Sequence, residues 1–207
     1  MSLPRRLWLY WHQGWDSAPP LVQAARDSWQ RMNPDWDVQA LDRAGLEAVF
    51  DGALPPLLAR DDIPLAAYSD ILRLTLLARF GGVWADATTL CAQPLSTWID
   101  GHLGQAGFFA FARPKPDRAL ASWFLAARPA CPLVAAWYSA VQAHWDGRRS
   151  LESYFWLHRL FDDVCAAAPA LAADWAAGPH ISAVHPFHFG PKATHLMAPP
   201  HRPGDIA

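Results

Sequence analysis

Three side chains within a short stretch have the types and spacing to do chemistry: Asp70, Arg73 and Asp86. Asp70 and Arg73 stand one helical turn apart in Ser69-Asp70-Ile71-Leu72-Arg73, so a helix through them projects both from one face. On a solvated surface such a pair is common and worth little. Here Ile71, Leu72, Leu74, Leu76 and Leu77 leave little solvated surface, so the charges are either buried and paired or turned toward a cleft. Gly81-Gly82 then leads into Val83-Trp84-Ala85 and Asp86. Open α/β sheets hold ligands at the carboxyl ends of their strands. An acid at that place can hold a hard divalent cation against phosphate oxygens. Taken alone, an acid at that place more often caps the turn after the strand.

The surrounding elements must bring these groups together. Residues 65–80 read as the strongest helix in the chain, stopped by the glycine pair, and residues 83–85 as a short buried strand. Residues 7–11 are apolar and aromatic, a first strand. Pro19-Pro20 opens a helix that ends at Asn33-Pro34-Asp35, with Leu21, Ala24, Ala25, Ser28, Trp29 and Met32 at helical spacing. Residues 36–41 form a second strand, and Asp42 can cap a helix running to Phe50. This alternation opens an α/β sheet with crossover helices. Further strands are expected at residues 108–112 and 122–126, and helices at 132–145, 151–167 and 169–176. The expected sheet is rich in parallel pairs, with residues 7–11 central and residues 83–85 beside them. Asp70, Arg73 and Asp86 then converge on one pocket.

Composition bounds the alternatives. A chain of 207 residues, 52% hydrophobic and 17% charged, suits one domain, residues 1–207, with a sizeable core. The net charge of -2 gives no basic excess for nucleic acid. Cys91, Cys131 and Cys165 lack the spacing of a disulfide framework or a structural zinc site, which fits a reducing compartment. No apolar run reaches the ~20 residues of a membrane span, so a cytoplasmic protein is expected, with room for peripheral association at the inner membrane face. Twelve tryptophans fit a protein that stacks on sugars and nucleobases, although most should serve packing. His180, His185, His188 and His195 fall in a Pro-rich terminal stretch. They could supply a metal or phosphate contact, or be exposed histidines in an irregular tail.

The combined pattern Ser69-Asp70-Ile71-Leu72-Arg73-Leu74, Leu77, Phe80-Gly81-Gly82-Val83-Trp84, Asp86-Ala87-Thr88 resembles the capsular polysaccharide synthesis protein family, which belongs with the sugar transferases that carry an Asp-x-Asp motif. Leu7-Trp8-Leu9-Tyr10-Trp11-His12-Gln13-Gly14, Ser122-Trp123-Phe124-Leu125-Ala126-Ala127 and Tyr154-Phe155-Trp156-Leu157-His158 are similar to the same family. The resemblance covers about residues 3–180. It implies a GT-A-like fold, in which a Rossmann-type sheet binds a nucleotide-diphospho-sugar, with a largely helical C-terminal half. It implies a bacterial-type glycosyltransferase that passes a sugar from a nucleotide-sugar donor to a polysaccharide or other glycan acceptor, with retention, in capsule or surface polysaccharide synthesis.

By the same resemblance Asp70, Arg73 and Asp86 carry the catalytic work. Trp11 stacks the nucleobase in the pocket of Asp70. Asp70 binds the ribose or donor sugar, and Arg73 meets the sugar or diphosphate. Trp84 is counted with these donor contacts. Asp86 is the first acid of Asp-x-Asp and holds Mn²⁺ or Mg²⁺. The second acid is replaced by Thr88, which leaves the cation one carboxylate plus phosphates and waters. That departure keeps a second expectation open, a non-catalytic module that binds nucleotide sugar or glycan.

Overall fold

The computed structural model describes residues 2–184 and 186. Strands β1 (Arg6–Tyr10), β2 (Asp37–Leu41), β3 (Gly82–Ala85), β4 (Phe108–Lys115) and β5 (Arg118–Ala127) form one sheet in the order β2-β1-β3-β5-β4. β1 pairs in parallel with β2 and β3, while β5 is antiparallel to both β3 and β4. Helices are α1 (Pro20–Met32), α2 (Leu46–Val49), α3 (Leu65–Phe80), α4 (Ile99–His102), α5 (Pro132–His144), α6 (Trp156–Ala167) and α7 (Pro169–Ala176).

Strand alternation sorts the core into two clusters, one on each side of the sheet. Trp8, Tyr10, Trp84, Leu125 and Ala127 point to the side covered by α3, α5 and α6. Leu7, Leu9, Val83, Ala85, Phe124 and Ala126 point to the side covered by α1 and α4. α3 lies within the first cluster, and Ile71, Leu72, Leu74, Leu76 and Leu77 are all fully buried. This burial on every side matches a helix that is hydrophobic nearly all round.

The glycine pair sets the geometry of the site. Gly81 ends α3 with φ of 66°, and its carbonyl accepts the Trp8 indole N–H at 3.0 Å. Gly82 has φ of 94°, and a Cβ there would stand 2.6 Å from the Arg6 carbonyl oxygen. Only glycine lets β3 lie this close to β1 with that backbone. Gly82→Ala is expected to lose about 1–3 kcal/mol from the strained φ alone, and the clash adds to it. Urea unfolding should show a lowered midpoint; an unchanged midpoint would mean that the two strands are not held this close.

Several expectations are corrected. The sheet has as many antiparallel as parallel pairings, because β4 and β5 form a long hairpin. The expected placing of β1 does hold: it is an interior strand, flanked by β2 and β3. Asp42 caps only a tight turn, accepting the Gly45 amide at 2.7 Å, and α2 is a single turn. Residues 151–155 are not helical; α6 begins at Trp156.

Candidate active site

Arg73 organises the site. It is 5% exposed and leaves the middle of α3 toward the end of β3. Its Nη1 donates to the Ser122 carbonyl at 2.9 Å and lies 3.1 Å from Asp70 Oδ1. Its Nη2 lies 3.2 Å from Asp86 Oδ1 and 3.4 Å from Ser69 Oγ. The guanidinium sits over the Trp84 ring, 5.3 Å from its centroid. The Trp84 indole N–H donates to Asp86 Oδ1 at 2.8 Å. One planar cation thus fixes two carboxylates from different elements, as the rigid fork of a guanidinium allows.

Asp86 stands at the carboxyl end of β3. Its amide donates to the Trp123 carbonyl at 2.8 Å, and its own carbonyl accepts the Thr89 amide at 2.9 Å. That turn leaves the carboxylate 34% exposed. Oδ1 is occupied by Arg73 and Trp84, whereas Oδ2 meets no hydrogen-bond donor among the described residues. Thr88 is exposed, and no group of three or more His, Cys, Asp or Glu among the described residues could hold a metal. The donor set therefore fits a cation only as one carboxylate oxygen added to substrate phosphates and waters.

A cleft of about 240 Å³ lies between two walls. Ser69, Asp70, Arg73 and Asp86 form one; Leu151, Tyr154, Trp156 and His158 form the other. Burial pushes the Asp70 carboxyl up to about 6; Arg73 opposes this rise and the Asp86 charge adds to it. Burial pushes His158 down to about 4, with Arg73 and Arg118 adding to the fall, so its ring is neutral at neutral pH. Tyr154 is 75% exposed at the rim.

Asp70, Arg73 and Asp86 do meet in one place. Trp11 does not share it: alternation along β1 sends its half-buried ring to the α1 side of the sheet, away from α3. Trp84 is 1% exposed, so it orients Asp86 and Arg73 rather than offering a face to a ligand. His180 is exposed and lies edge-on to Trp175, 4.4 Å away, outside the cleft. His185, His188 and His195 lie outside the described residues. Sequence reasoning missed Trp156 and His158 as site groups. The signal was the aromatic run Tyr154-Phe155-Trp156-Leu157-His158, but without the packing of α6 nothing said that it faced Asp70.

Comparison with known proteins adds to this geometry. The model of the family described as capsular polysaccharide synthesis protein matches residues 2–196. The chain is 28% identical over 168 residues to the O-glycosyltransferase braB of Annulohypoxylon truncatum, covering 72% of this chain and 40% of that protein. It is 26% identical over 165 residues to the O-glycosyltransferase PaGT of Phomopsis amygdali, again covering 72% and 40%. The chain thus spans two fifths of the length of these relatives. Among solved structures, the PaToxG glycosyltransferase aligns with a TM-score of 0.55 at 13% identity, covering 83% of this chain and 72% of that one. At that identity the likeness shows the fold, a GT-A-like α/β sheet, and not the chemistry.

Proposed function

The chain belongs to the capsular polysaccharide synthesis protein family, and from that premise we propose that it is a glycosyltransferase that moves a sugar from a nucleotide-diphosphate donor to a hydroxyl of a glycan or other acceptor. The observation that carries this reading is the Arg73 bridge, which holds Asp70 and Asp86 together on a cleft at the carboxyl end of β3. The names of the two O-glycosyltransferase relatives agree with it. Those relatives are fungal, so the proposal is not tied to a bacterial capsule.

In this reading Asp70 accepts hydrogen bonds from donor hydroxyls, and Arg73 positions both carboxylates. Asp86 turns its free Oδ2 to the donor's diphosphate end, where it would hold Mn²⁺ or Mg²⁺. That cation, when bound, supplies neutralising charge for the leaving diphosphate. The protein's own task is positioning and electrostatic support, with no covalent bond to the sugar required. Retention of anomeric configuration belongs to the proposal. So does a cytoplasmic setting, where nucleotide sugars are available. No helix among the described residues is long and apolar enough to cross a membrane.

The test is donor hydrolysis. Incubation with UDP- and GDP-sugars, with Mn²⁺ and with EDTA, should release nucleoside diphosphate from at least one donor, faster with the metal. The absence of the second motif acid at Thr88 favours one other reading, a binding module, for which the donor binds and is never cleaved. Trp11, at the end of β1, is proposed as the base platform outside the cleft. Trp11→Ala should weaken UDP or GDP binding by about 1–3 kcal/mol, the range for base–aromatic stacking. Calorimetry checks this, and an unchanged affinity would make Trp11 a packing residue.

A further inference from the structure

A diphosphate needs donors, and Arg73 has few to give. Both terminal nitrogens already meet two oxygens each, and the side chain is 6% exposed. The opposite wall differs. α6 is twelve residues long and starts at Trp156 without a side-chain cap from Phe155. The backbone N–H groups of Leu157 and His158, in its first turn, have no acceptor among the described residues. Two side-chain nitrogens join them. The Trp156 indole is 3% exposed; its N–H lies near enough to Asp70 to help hold that carboxyl down, but meets no acceptor at hydrogen-bond distance. His158 Nδ1 is likewise buried and unpartnered.

We propose that the first turn of α6, through the Leu157 and His158 amides and the Trp156 and His158 side chains, binds the phosphates of the donor. The proposal rests on the reading of the cleft as a nucleotide-sugar site and names where its anionic part lies. A helix N-terminus offers convergent N–H groups and the positive end of its dipole to an anion. Burial keeps the His158 ring unprotonated, with Arg73 and Arg118 adding to the effect and Asp117 opposing it. Asp70 and Asp86 stand on the facing wall, where they suit sugar hydroxyls and a cation. The cleft is thus divided into an acceptor-rich wall on α3 and β3 and a donor-rich wall on α6. Leaving-group charge would then be stabilised by fixed N–H groups as well as by any cation at Asp86, which fits a motif with one acid.

The test uses the full chain, in EDTA, with inorganic pyrophosphate, UDP and GDP as probes. NMR should show pyrophosphate moving the Leu157 and His158 amide resonances and the His158 ring resonances. In calorimetry, His158→Leu should weaken pyrophosphate and the nucleotides alike by about 10-fold, as expected for loss of one hydrogen bond to a charged group. His158→Gln, which keeps an N–H donor, should recover most of that loss. Unmoved resonances at saturating pyrophosphate, no pyrophosphate binding, or equal affinity in His158→Leu and the parent would overturn the proposal. Donor hydrolysis that persists in such a case leaves the transferase reading intact and moves the phosphates elsewhere. Pyrophosphate seated on α6 with no donor cleaved would leave the anion site standing and count against the transferase.

Discussion

Arg73→Lys is expected to lower turnover by about 100-fold while changing donor affinity little. The reason is geometric. The guanidinium meets Asp70 and the Ser122 carbonyl through one nitrogen, and Asp86 and Ser69 through the other. An ammonium is a single point and cannot span both carboxylates. Displacing either carboxylate by about 1 Å is enough for a loss of that size. Arg73→Met should also destabilise the fold by about 3–5 kcal/mol, since it leaves two carboxylates without their shared partner. Steady-state kinetics on the lysine variant decide between two roles. A fall in kcat at constant KM supports a positioning role. Lost donor affinity with an intact kcat would restore the direct grip on phosphate that the family resemblance implies.

Asp70→Asn should act in opposite directions on stability and on activity. The Asp70 carboxyl titrates at about 6 in the folded chain, mainly because it is buried, against an ordinary value of 3.8. Between those values the folded state binds more protons than the unfolded state, so the contribution of this group to stability falls as pH rises through the window and is gone above it. A rise of two units corresponds to about 3 kcal/mol. Asparagine is neutral throughout. At pH 8 the variant should therefore unfold at higher urea than the parent, by about 3 kcal/mol, and the difference should vanish below pH 4. Its activity should fall by at least about 100-fold if the carboxylate orients the donor. A variant less stable than the parent at pH 8 would mean that the Arg73–Asp70 pair outweighs the cost of burial.

The site's first wall was legible because local signals set it. Pro64 and Gly81 bound α3 at the residues that the pattern predicts, and the Asp70–Arg73 spacing survives any tertiary context. The exit of β3 at Asp86 follows from the glycine pair, whose close approach no other residue permits. The second wall was not legible. Residues 151–155 carry an apolar pattern that continues the helix, yet they form the loop that brings Tyr154 to the rim, since Trp156 and Leu157 are drawn under α5. The β4–β5 hairpin was hidden for a related reason. The expected strand stops at residue 112, whereas β4 runs on to Lys115 through Pro114, whose missing N–H does little harm on an edge strand. Trp11 shows the limit of a family resemblance: the motif fixes its place at the end of β1, while strand alternation fixes the face on which its ring lies.

The central claim is that the cleft between Asp86 and α6 receives the donor. Crystals grown with Mn²⁺ and the nucleoside diphosphate that binds more tightly test it most directly. The account predicts the diphosphate between Asp86 and the first turn of α6, with an anomalous manganese peak at about 2.0–2.3 Å from Asp86 Oδ2, the range for hard cations on carboxylate oxygen. A diphosphate bound on the other side of the sheet, or Asp86 left without contact to nucleotide or metal, would contradict it.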